Sequence, residues 1–600
     1  MKRSRTSRGM IFVGVGVALS GVIISACGDD RDAFKGREEP TPFETQEAGV
    51  DAPKCGLQCS IDGRKVIENC TGTVTEECPA HLACGAGKCI EPCAAAAEDR
   101  SSNGCEFYFQ PPRFLQQVPP SCYASYVVNT SLQPVDLSLE LEGKALDLSK
   151  AVYRTNPGSA ELVPHSGPVP PGESVVVFIS NASPRMVDLH EWGANYVGCP
   201  EGVVPAHYDE ELRGGTQLGS SFHLKTSLPV ATTTIYPFGG AKSFIPTATL
   251  VLPVATWGTE HIVVNGWEAA ENGGPAAQII ASEDDTEVTI IPTRDIQNGA
   301  DVVGGLAKHP AKFKLARGQY LQIVQDDELS GSIVTSSKPT TIVGGHACGD
   351  IPATAAACDI LAQQIPPFAQ WGSEYVGVGY RPRLGSEREA VLYRIVAARD
   401  GTLLDYDPAI PDGAPTSMKA GEVAIFARGT GDAFVVRTQD ADHAIYVSAH
   451  MTGANGDGAS ANNFGDRGDP EFVNVVPAGQ YLSSYGFYAD PTYGETSLVI
   501  VRAKAGGKFE DVWLECAGDL TGWKPVGTRG DYEFLRVDLS RGGGPGDKFD
   551  AGVCQHGLQR MRSDGPFTAT IWGWDRYASY AYPGGMATRK LVDAPLVPIK

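Results

Sequence analysis

Hydrophobic and polar residues alternate along most of the chain in short segments that favour β-strands. From about residue 106 onward, segments rich in β-branched and aromatic residues are separated by Gly, Pro, Asp and Asn; examples are residues 174–180 (SVVVFIS), 286–292 (TEVTIIP) and 319–324 (QYLQIV). In the last of these, Leu321 and Ile323 point to one face and the residues between them to the other. No long stretch keeps a helical period, so the pattern predicts an all-β protein with antiparallel sheets.

The β-rich part of the chain repeats itself. Pro253 opens the segment PVATWGTE, Pro367 opens PFAQWGSE and Pro477 opens the fainter match PAGQY, so the period is about 110 residues. A second marker agrees with the first, because an acidic turn precedes a strand at both Thr286 and Thr402. We therefore expect tandem β-sandwich-like repeats, with a β-propeller arrangement of the same strands as the alternative.

The amino terminus has the pattern of an export signal. Basic residues at positions 2–8 precede an apolar run at residues 10–24, and the sequence then reads Ile-Ser-Ala-Cys up to Cys27. This ending resembles the lipobox of bacterial lipoproteins, which implies that Cys27 is acylated and anchors the mature chain to a membrane. The resemblance favours the outer membrane and display at the cell surface. An ordinary secretory signal, with Cys27 in a disulfide, is the alternative.

Composition divides the remaining chain into regions. Residues 28–54 are charged and nearly free of aliphatic side chains, which indicates a disordered tether, and the next fifty residues are rich in cysteine. The predicted regions are a signal peptide (1–26), an acylated tether (27–54), a disulfide-rich stalk (55–105) and four β domains (106–243, 244–358, 359–470 and 471–600).

Cysteine usage fits an exported protein. Apart from Cys27 there are fourteen cysteines, and eight of them lie between Cys55 and Cys105, where we leave the pairing open and favour disulfides over zinc sites. The other six are candidate disulfide cysteines that we pair by proximity and elimination as Cys348 with Cys358, Cys516 with Cys554, and Cys122 with Cys199.

The charge balance narrows the class of partner. Lys and Arg number 49 against 71 Asp and Glu, which leaves a formal charge of −22. A polyanion would be repelled, so we expect no nucleic-acid partner.

Residues 248–380 resemble the N-terminal domain family of IgG Fc-binding proteins, which includes bacterial surface lipoproteins. The matching motifs are Trp257-Gly258-Thr-Glu260, the run from Ala281 to Pro292, Arg317-Gly-Gln-Tyr320, Gly345-His-Ala-Cys348, Cys358-Asp-Ile-Leu and Trp371-Gly-Ser-Glu374. We expect the likeness to extend from Cys105 to Met586. It implies an extracellular binding or adhesive module without enzymatic activity or cofactor, and it transfers no ligand-binding residue to this chain.

Few residues suggest a specific site. His346, Cys348 and Asp350 have the even spacing of strand ligands for a metal, but a disulfide at Cys348 is the favoured interpretation. The loop at residues 455–469 is rich in oxygen ligands yet lacks the order of a calcium loop. Trp572 and Trp574 share one face of a strand and are candidates for an exposed aromatic patch. We expect no catalytic, cofactor or metal site.

Three functions remain open on the sequence. The first is a lipid-anchored surface protein that binds a protein or glycan ligand at the cell exterior, with repeated weak contacts adding up. The second is an exported hydrolase that acts on glycans or peptides, which requires catalytic groups gathered in one cleft. The third is a passive spacer of the envelope.

Overall fold

The computed structural model describes residues 57–59, 64–68, 73–116, 118–187, 196–243, 245–355, 357–454 and 464–597. All of them belong to one compact unit, Thr45–Lys600. The predicted signal peptide, the tether and Cys27 lie outside the described residues. Within these residues, no helix is both long enough and apolar enough to cross a membrane.

A small disulfide-bonded module comes first. Its elements are β1 (Leu57–Cys59), β2 (Lys65–Glu68), β3 (Val74–Glu77), β4 (Ala83–Gly85), β5 (Lys88–Ile90) and α1 (Pro92–Asp99). Strands β1 to β3 form one antiparallel sheet and β4 pairs with β5. Helix α1 begins at Pro92 because the Glu91 carboxylate accepts a hydrogen bond from the Ala94 amide at 2.9 Å. Among the described residues of the module, three disulfides are formed, Cys59–Cys84, Cys78–Cys89 and Cys93–Cys105.

The first large sheet is built around two long strands. Its region contains β6 (Gly104–Phe109), β7 (Tyr123–Asn129), β8 (Leu137–Leu141), β9 (Lys144–Ala145), β10 (Val152–Thr155), β11 (Leu162–Pro164), β12 (Ser174–Ala182), α2 (Pro184–Val187), β13 (His207–Asp209), β14 (Gln217–Ser220), β15 (Phe222–Tyr236) and β16 (Thr247–Leu250). The order is β11-β10-β12-β7-β15-β8-β9, with β6 and β16 also on β15. Strand β13 runs parallel to β12, whereas the other pairs in this sheet are antiparallel.

The second large sheet takes one strand from the first region. Its own strands are β17 (Gly258–Ile262), β18 (Pro275–Ala281), β19 (Thr286–Ile291), β20 (Ala311–Leu315), β21 (Gln319–Val324), β22 (Ile333–Asp350) and β23 (Cys358–Ile365). The order is β14-β21-β18-β22-β19-β20, with β17 and β23 on β22. Because β14 pairs with β21 and β22 with β23, the predicted boundaries at residues 243 and 358 are crossed by strand pairing.

The third repeat is a sandwich of two small sheets. Its strands are β24 (Glu374–Gly377), β25 (Ala390–Ala397), β26 (Thr402–Asp407), β27 (Ser417–Met418), β28 (Val423–Gly429), β29 (Phe434–Thr438), β30 (Ile445–Met451) and β31 (Glu471–Asn474). One sheet has the order β24-β29-β26-β27 and the other β28-β25-β30-β31. They pack through aromatic side chains such as Tyr393 and Phe434, whose ring centres are 4.9 Å apart.

Most strands of the last repeat form one large curved sheet, and two of its short strands pair separately. Its strands are β32 (Leu482–Ala489), β33 (Glu495–Ala503), β34 (Val512–Leu514), β35 (Gly518–Asp519), β36 (Lys524–Val526), β37 (Tyr532–Arg541), β38 (Gly544–Pro545), β39 (Lys548–Phe549), β40 (Gly552–Val553), β41 (Gly557–Asp575) and β42 (Ala578–Pro583). The order is β35-β34-β41-β33-β37-β36, with β32 and β42 on β41. The prediction of an all-β protein with sandwich-like repeats is confirmed, and the propeller alternative is not needed.

The repeat markers occupy equivalent places in the fold. Short 3₁₀ turns, Val254–Thr256, Phe368–Gln370 and Ala478–Gln480, follow Pro253, Pro367 and Pro477. Trp257 and Trp371 come directly after the first two turns, and each buried indole N–H donates to the carbonyl five residues earlier, at 3.1 and 3.0 Å. The repeated sequence therefore encodes a repeated turn that buries one aromatic side chain.

Four strands from different sheets meet in the interior of the molecule. Strand β16 packs against β23 and β42, and β31 packs against the same two strands. The Gln363 side-chain amide joins three of them by donating to the carbonyls of Ala248 and Ala581 at 2.8 and 2.9 Å. These four strands thus form a shared buried junction between the sheets.

Candidate functional site

The expectation of an exposed aromatic patch is wrong. Trp572 and Trp574 do lie on one face of β41, but they are only 2% and 1% exposed. Tyr380 of the third repeat covers them, with its ring 4.9 Å from the Trp572 ring, and the Arg381 guanidinium lies 4.8 Å from the Trp574 ring. The two residues share one face of the strand, as expected, but that face packs against a neighbouring repeat.

The large repeats contain three disulfides among the described residues. They join Cys122 to Cys199, Cys348 to Cys358 and Cys516 to Cys554, which are the pairs preferred from the sequence. The first closes a loop of 77 residues, whereas the second spans 10 residues between β22 and β23. None of the six cysteines lines either of the two open clefts described below.

The three residues considered as metal ligands, His346, Cys348 and Asp350, are buried. His346 donates from Nε2 to the Glu268 carbonyl at 3.0 Å and accepts from the Cys348 amide at Nδ1, and burial lowers its pKa to about 4. Asp350 is 2% exposed. In the described part of the chain, no three His, Cys, Asp or Glu side chains are grouped to hold a metal ion. Residues 455–463 of the candidate calcium loop lie outside the described residues.

The first open cleft lies where the first two sheets meet. It has a volume of about 350 Å³ and is lined by residues of β13, β14, β21 and the turn between β8 and β9. Tyr208, exposed by 36%, stands at its side, and Phe222 and Tyr320 contribute aromatic surface. A cleft of this size accepts one or two side chains of a ligand.

An ion pair stabilises the floor of the first cleft. Arg113 contacts Asp209 through a short ion pair, and His207 Nε2 lies 3.4 Å from the same carboxylate oxygen. Burial opposes ionisation of Asp209, but the contacts with His207 and Arg113 outweigh it and hold its pKa below the usual value. Asp209 is therefore a negative charge at neutral pH.

The second open cleft lies between the third and fourth repeats. It measures about 410 Å³ and is lined by Arg381, Pro382, Gly385, Glu387, Lys524, Phe534, Leu535, Arg536, Asp538, Arg541 and Asp547. Strand β37 carries Phe534, Arg536 and Asp538 at alternate positions, so the three side chains share one face. The remaining wall is the turn at residues 381–389.

A buried ion pair braces that turn. Arg383 is 2% exposed and donates from Nε to Glu389 at 2.6 Å and from Nη1 to the Thr452 carbonyl at 2.8 Å. Leu384 follows directly and is 53% exposed, so the turn presents an apolar side chain on a rigid base.

The three arginines that line the second cleft are held by acidic partners. Arg381 Nε lies 2.7 Å from Asp538, and Arg536 Nη1 lies 3.0 Å from both carboxylate oxygens of Glu387. Burial raises the pKa of Asp538, while Arg381 and Arg541 oppose the shift. Arg541 itself has a side chain that is 59% exposed. The cleft therefore offers oriented arginines beside an apolar side chain, a combination frequent in protein interfaces.

A family model for IgG Fc-binding proteins matches residues 247–573, which is more than half of the chain. The chain belongs to the IgG Fc-binding protein family. A human member, named IgGFc-binding protein, is 26% identical over 304 residues. The aligned part covers 50% of this chain but only 5% of the human protein.

The two clefts differ in whether the family match includes them. Every residue that lines the second cleft falls within the segment shared with the IgG Fc-binding family, whereas the first cleft is lined almost wholly by residues before position 247. Sequence reasoning missed both clefts because each joins residues that are far apart in the chain. The run YRPRLGSERE at residues 380–389 is the one local signal, since its charges surround a single leucine.

Proposed function

We propose that this chain is a surface-displayed binding protein that contacts a protein ligand through the second cleft. Membership of the IgG Fc-binding family carries the proposal, since that family and its human member are named for binding a protein. The cleft supports it because it lies within the matched segment and is lined by exposed Arg541, while exposed Leu384 stands beside it on the turn that forms one wall. The Fc region of IgG is the first ligand to test.

The binding experiment uses the purified mature chain and immobilised protein ligands, beginning with an Fc fragment and continuing with an array of extracellular proteins. We expect the double variant Leu384→Asp, Arg541→Glu to bind at least about tenfold more weakly, because exposed apolar and arginine side chains carry much of the energy of such interfaces. The matched control is Leu403→Asp, Lys548→Glu, since both residues are exposed and neither lines the cleft.

Three results contradict the binding proposal. If both double variants bind as the wild type does, the second cleft is not the contact. If no protein ligand binds but a polysaccharide is bound or cleaved in a saturable manner, a glycan-binding protein or an exported hydrolase replaces the proposal. A spacer is favoured if no ligand of either class binds.

We further propose that acylation of Cys27 holds the protein in the outer membrane and that the repeats face outward as an adhesin. The lipobox-like sequence before Cys27 supports this anchor. Protease treatment of intact cells should remove the repeats from the wild type, and Cys27→Ser should leave the membrane fraction. A protein that stays protected until the envelope is opened faces the periplasm instead.

A further inference from the structure

Strand β28 is the longest of the described strands that end a sheet in the large repeats. It has seven residues (VAIFARG) and pairs with β25 on one side. Of the other strands at sheet ends, β14, β24 and β31 have four residues, β9, β27, β35, β39 and β40 have two, β11 and β36 have three and contain proline, and β20 carries Lys312 and Lys314. Short length, proline and lysine keep an exposed strand edge from pairing with another chain, and β28 has none of these three protections.

The open edge of β28 presents main-chain groups. The Ala397 amide donates to the Glu422 carbonyl at 3.2 Å across the β25–β28 pair, which keeps one continuous register. Alternate residues of an antiparallel strand bond to the same neighbour, so Val423, Ile425 and Ala427 direct their N–H and C=O groups away from β25. In the part of the chain that the structure describes, no hydrogen bond reaches these groups from the open side.

The side chains along this edge are apolar. Ile425 is 38% exposed, Ala427 is also exposed and Val423 is half-buried, and the three share one face of the strand. Phe426 lies between them on the other face, where it is buried with its ring centre 5.5 Å from that of Phe434. The core therefore holds β28 in place while its edge stays open, a geometry that accepts a further strand.

The order of residues along β28 favours a second copy of the same strand. When two copies run antiparallel with Ile425 opposite Ile425, Val423 of each lies opposite Ala427 of the other. Glu422 then lies opposite Arg428 of the other copy, and the two-fold axis repeats this pair of opposite charges. A shift of the register by two residues in either direction removes the pairing of Glu422 with Arg428.

We propose that two copies of this chain form a homodimer by antiparallel pairing of their β28 strands, centred on Ile425, with Glu422 of each copy opposite Arg428 of the other. Main-chain hydrogen bonds supply the affinity, and the side chains set the register. None of these residues lines the second cleft, so the dimer stands or fails independently of the proposed function.

Analytical ultracentrifugation of the disulfide-bonded mature chain over a range of concentrations tests the dimer. We expect a dimer that dissociates at about 1 to 100 µM, since one strand pair is a small interface. Ile425→Lys should weaken the dimer by at least about tenfold, because it places two like charges opposite each other at the axis. The matched control is Leu403→Lys, since Leu403 is 44% exposed on a strand of the other sheet, and it should leave the dimer unchanged.

Charge reversal tests the register. Glu422→Arg and Arg428→Glu should each weaken the dimer by about tenfold, because like charges then face each other twice. An equimolar mixture of the two variants should dimerise as the wild type does, since each arginine of one variant meets a glutamate of the other. Thermal unfolding shows whether all forms are equally folded.

Three results overturn the proposed dimer. The first is a wild type that stays monomeric up to about 100 µM, even if it binds some other extended peptide at β28. The second is an unchanged dimer in Ile425→Lys. The third is a mixture of folded Glu422→Arg and Arg428→Glu chains that associates no better than either variant alone.

Discussion

Gln480 donates its side-chain amide to the main-chain carbonyl of Gln370, with 3.0 Å between Nε2 and the oxygen. Gln370 donates in the same way to the carbonyl of Thr256, at 2.7 Å. These three residues occupy the last position of the three equivalent 3₁₀ turns, so the repeats are joined in series by the same hydrogen bond. This buried chain of bonds explains why glutamine is found at the end of the second and third turns.

Replacement of Gln480 by alanine should lower the free energy of unfolding by about 2 to 3 kcal/mol, because it leaves buried carbonyl groups without donors. The Gln480 side chain also donates to the Arg589 carbonyl at 2.8 Å and accepts from the Arg589 amide at 2.9 Å. Urea denaturation measures the change. Gln439→Ala is the control, since Gln439 also makes two hydrogen bonds to main-chain groups but at a more accessible turn, where we expect less than about 1 kcal/mol.

Contacts between prolines and glycines fix the spacing of the repeats, and alanine at Gly372 should disturb it. A Cβ atom there would lie 2.4 Å from Cβ of Pro477, the residue that opens the next 3₁₀ turn. We expect a loss of about 1 to 3 kcal/mol in unfolding free energy, measured by chemical denaturation. Gly544→Ala, where the nearest atom is 3.5 Å away, should cost far less. Equal losses at the two positions would show that the contact does not constrain the repeats.

The features predicted correctly from sequence are local ones. Alternation in residues 319–324 gives β21, the repeated Pro-x-x-x-Trp segments give equivalent turns, and short cysteine spacings agree with two of the disulfides. Each of these depends on neighbouring residues or on a repeat that can be seen within one sequence.

The sequence does not reveal which surfaces meet. Trp572 and Trp574 do share one face of their strand, as the sequence predicts. They are buried because Tyr380 of another repeat packs on that face. The clefts could not be predicted for the same reason, because they form between segments that are distant in the sequence. Arg113, for example, contacts Asp209 only in the folded chain. Strand alternation indicates that a residue faces one side of a sheet, and it does not indicate what covers that side.

The disulfides should differ in their effect on stability. Cys122–Cys199 closes 77 residues and Cys348–Cys358 closes 10, and a longer closed loop restricts the unfolded chain more strongly. Alanine at both cysteines of the first pair should lower the unfolding free energy by about 4 to 5 kcal/mol, against about 3 kcal/mol for the second pair. Denaturation of the two double variants, compared with the wild type, tests the ranking. A larger loss at the short loop would contradict it.

Stability should fall as the pH rises through neutrality, because of Asp469 beside the central junction. This carboxyl is 1% exposed, and burial raises its pKa to about 7. The hydrogen bond from the Ala454 amide and the Arg383 guanidinium lower the pKa, whereas Asp350 raises it further. An unfolded aspartate titrates near 3.8, so folding takes up a proton between that value and 7.

The stabilisation from this group is complete below about pH 4 and is lost as the pH rises to about 7, by roughly 1 kcal/mol per pH unit over the upper part of that range. Burial also raises the pKa of Asp350 to about 6, which acts in the same direction. The buried histidines His261, His346 and His556, whose pKa burial lowers to about 4, act in the opposite direction below about pH 6.5, so unfolding free energies should decline from pH 6.5 to pH 8. Asp469→Asn retains the side-chain oxygen that accepts from Ala454, and it should flatten the decline, whereas the exposed control Asp564→Asn should not. Stability that rises over this range in the wild type would mean that Asp469 is ionised in the folded protein.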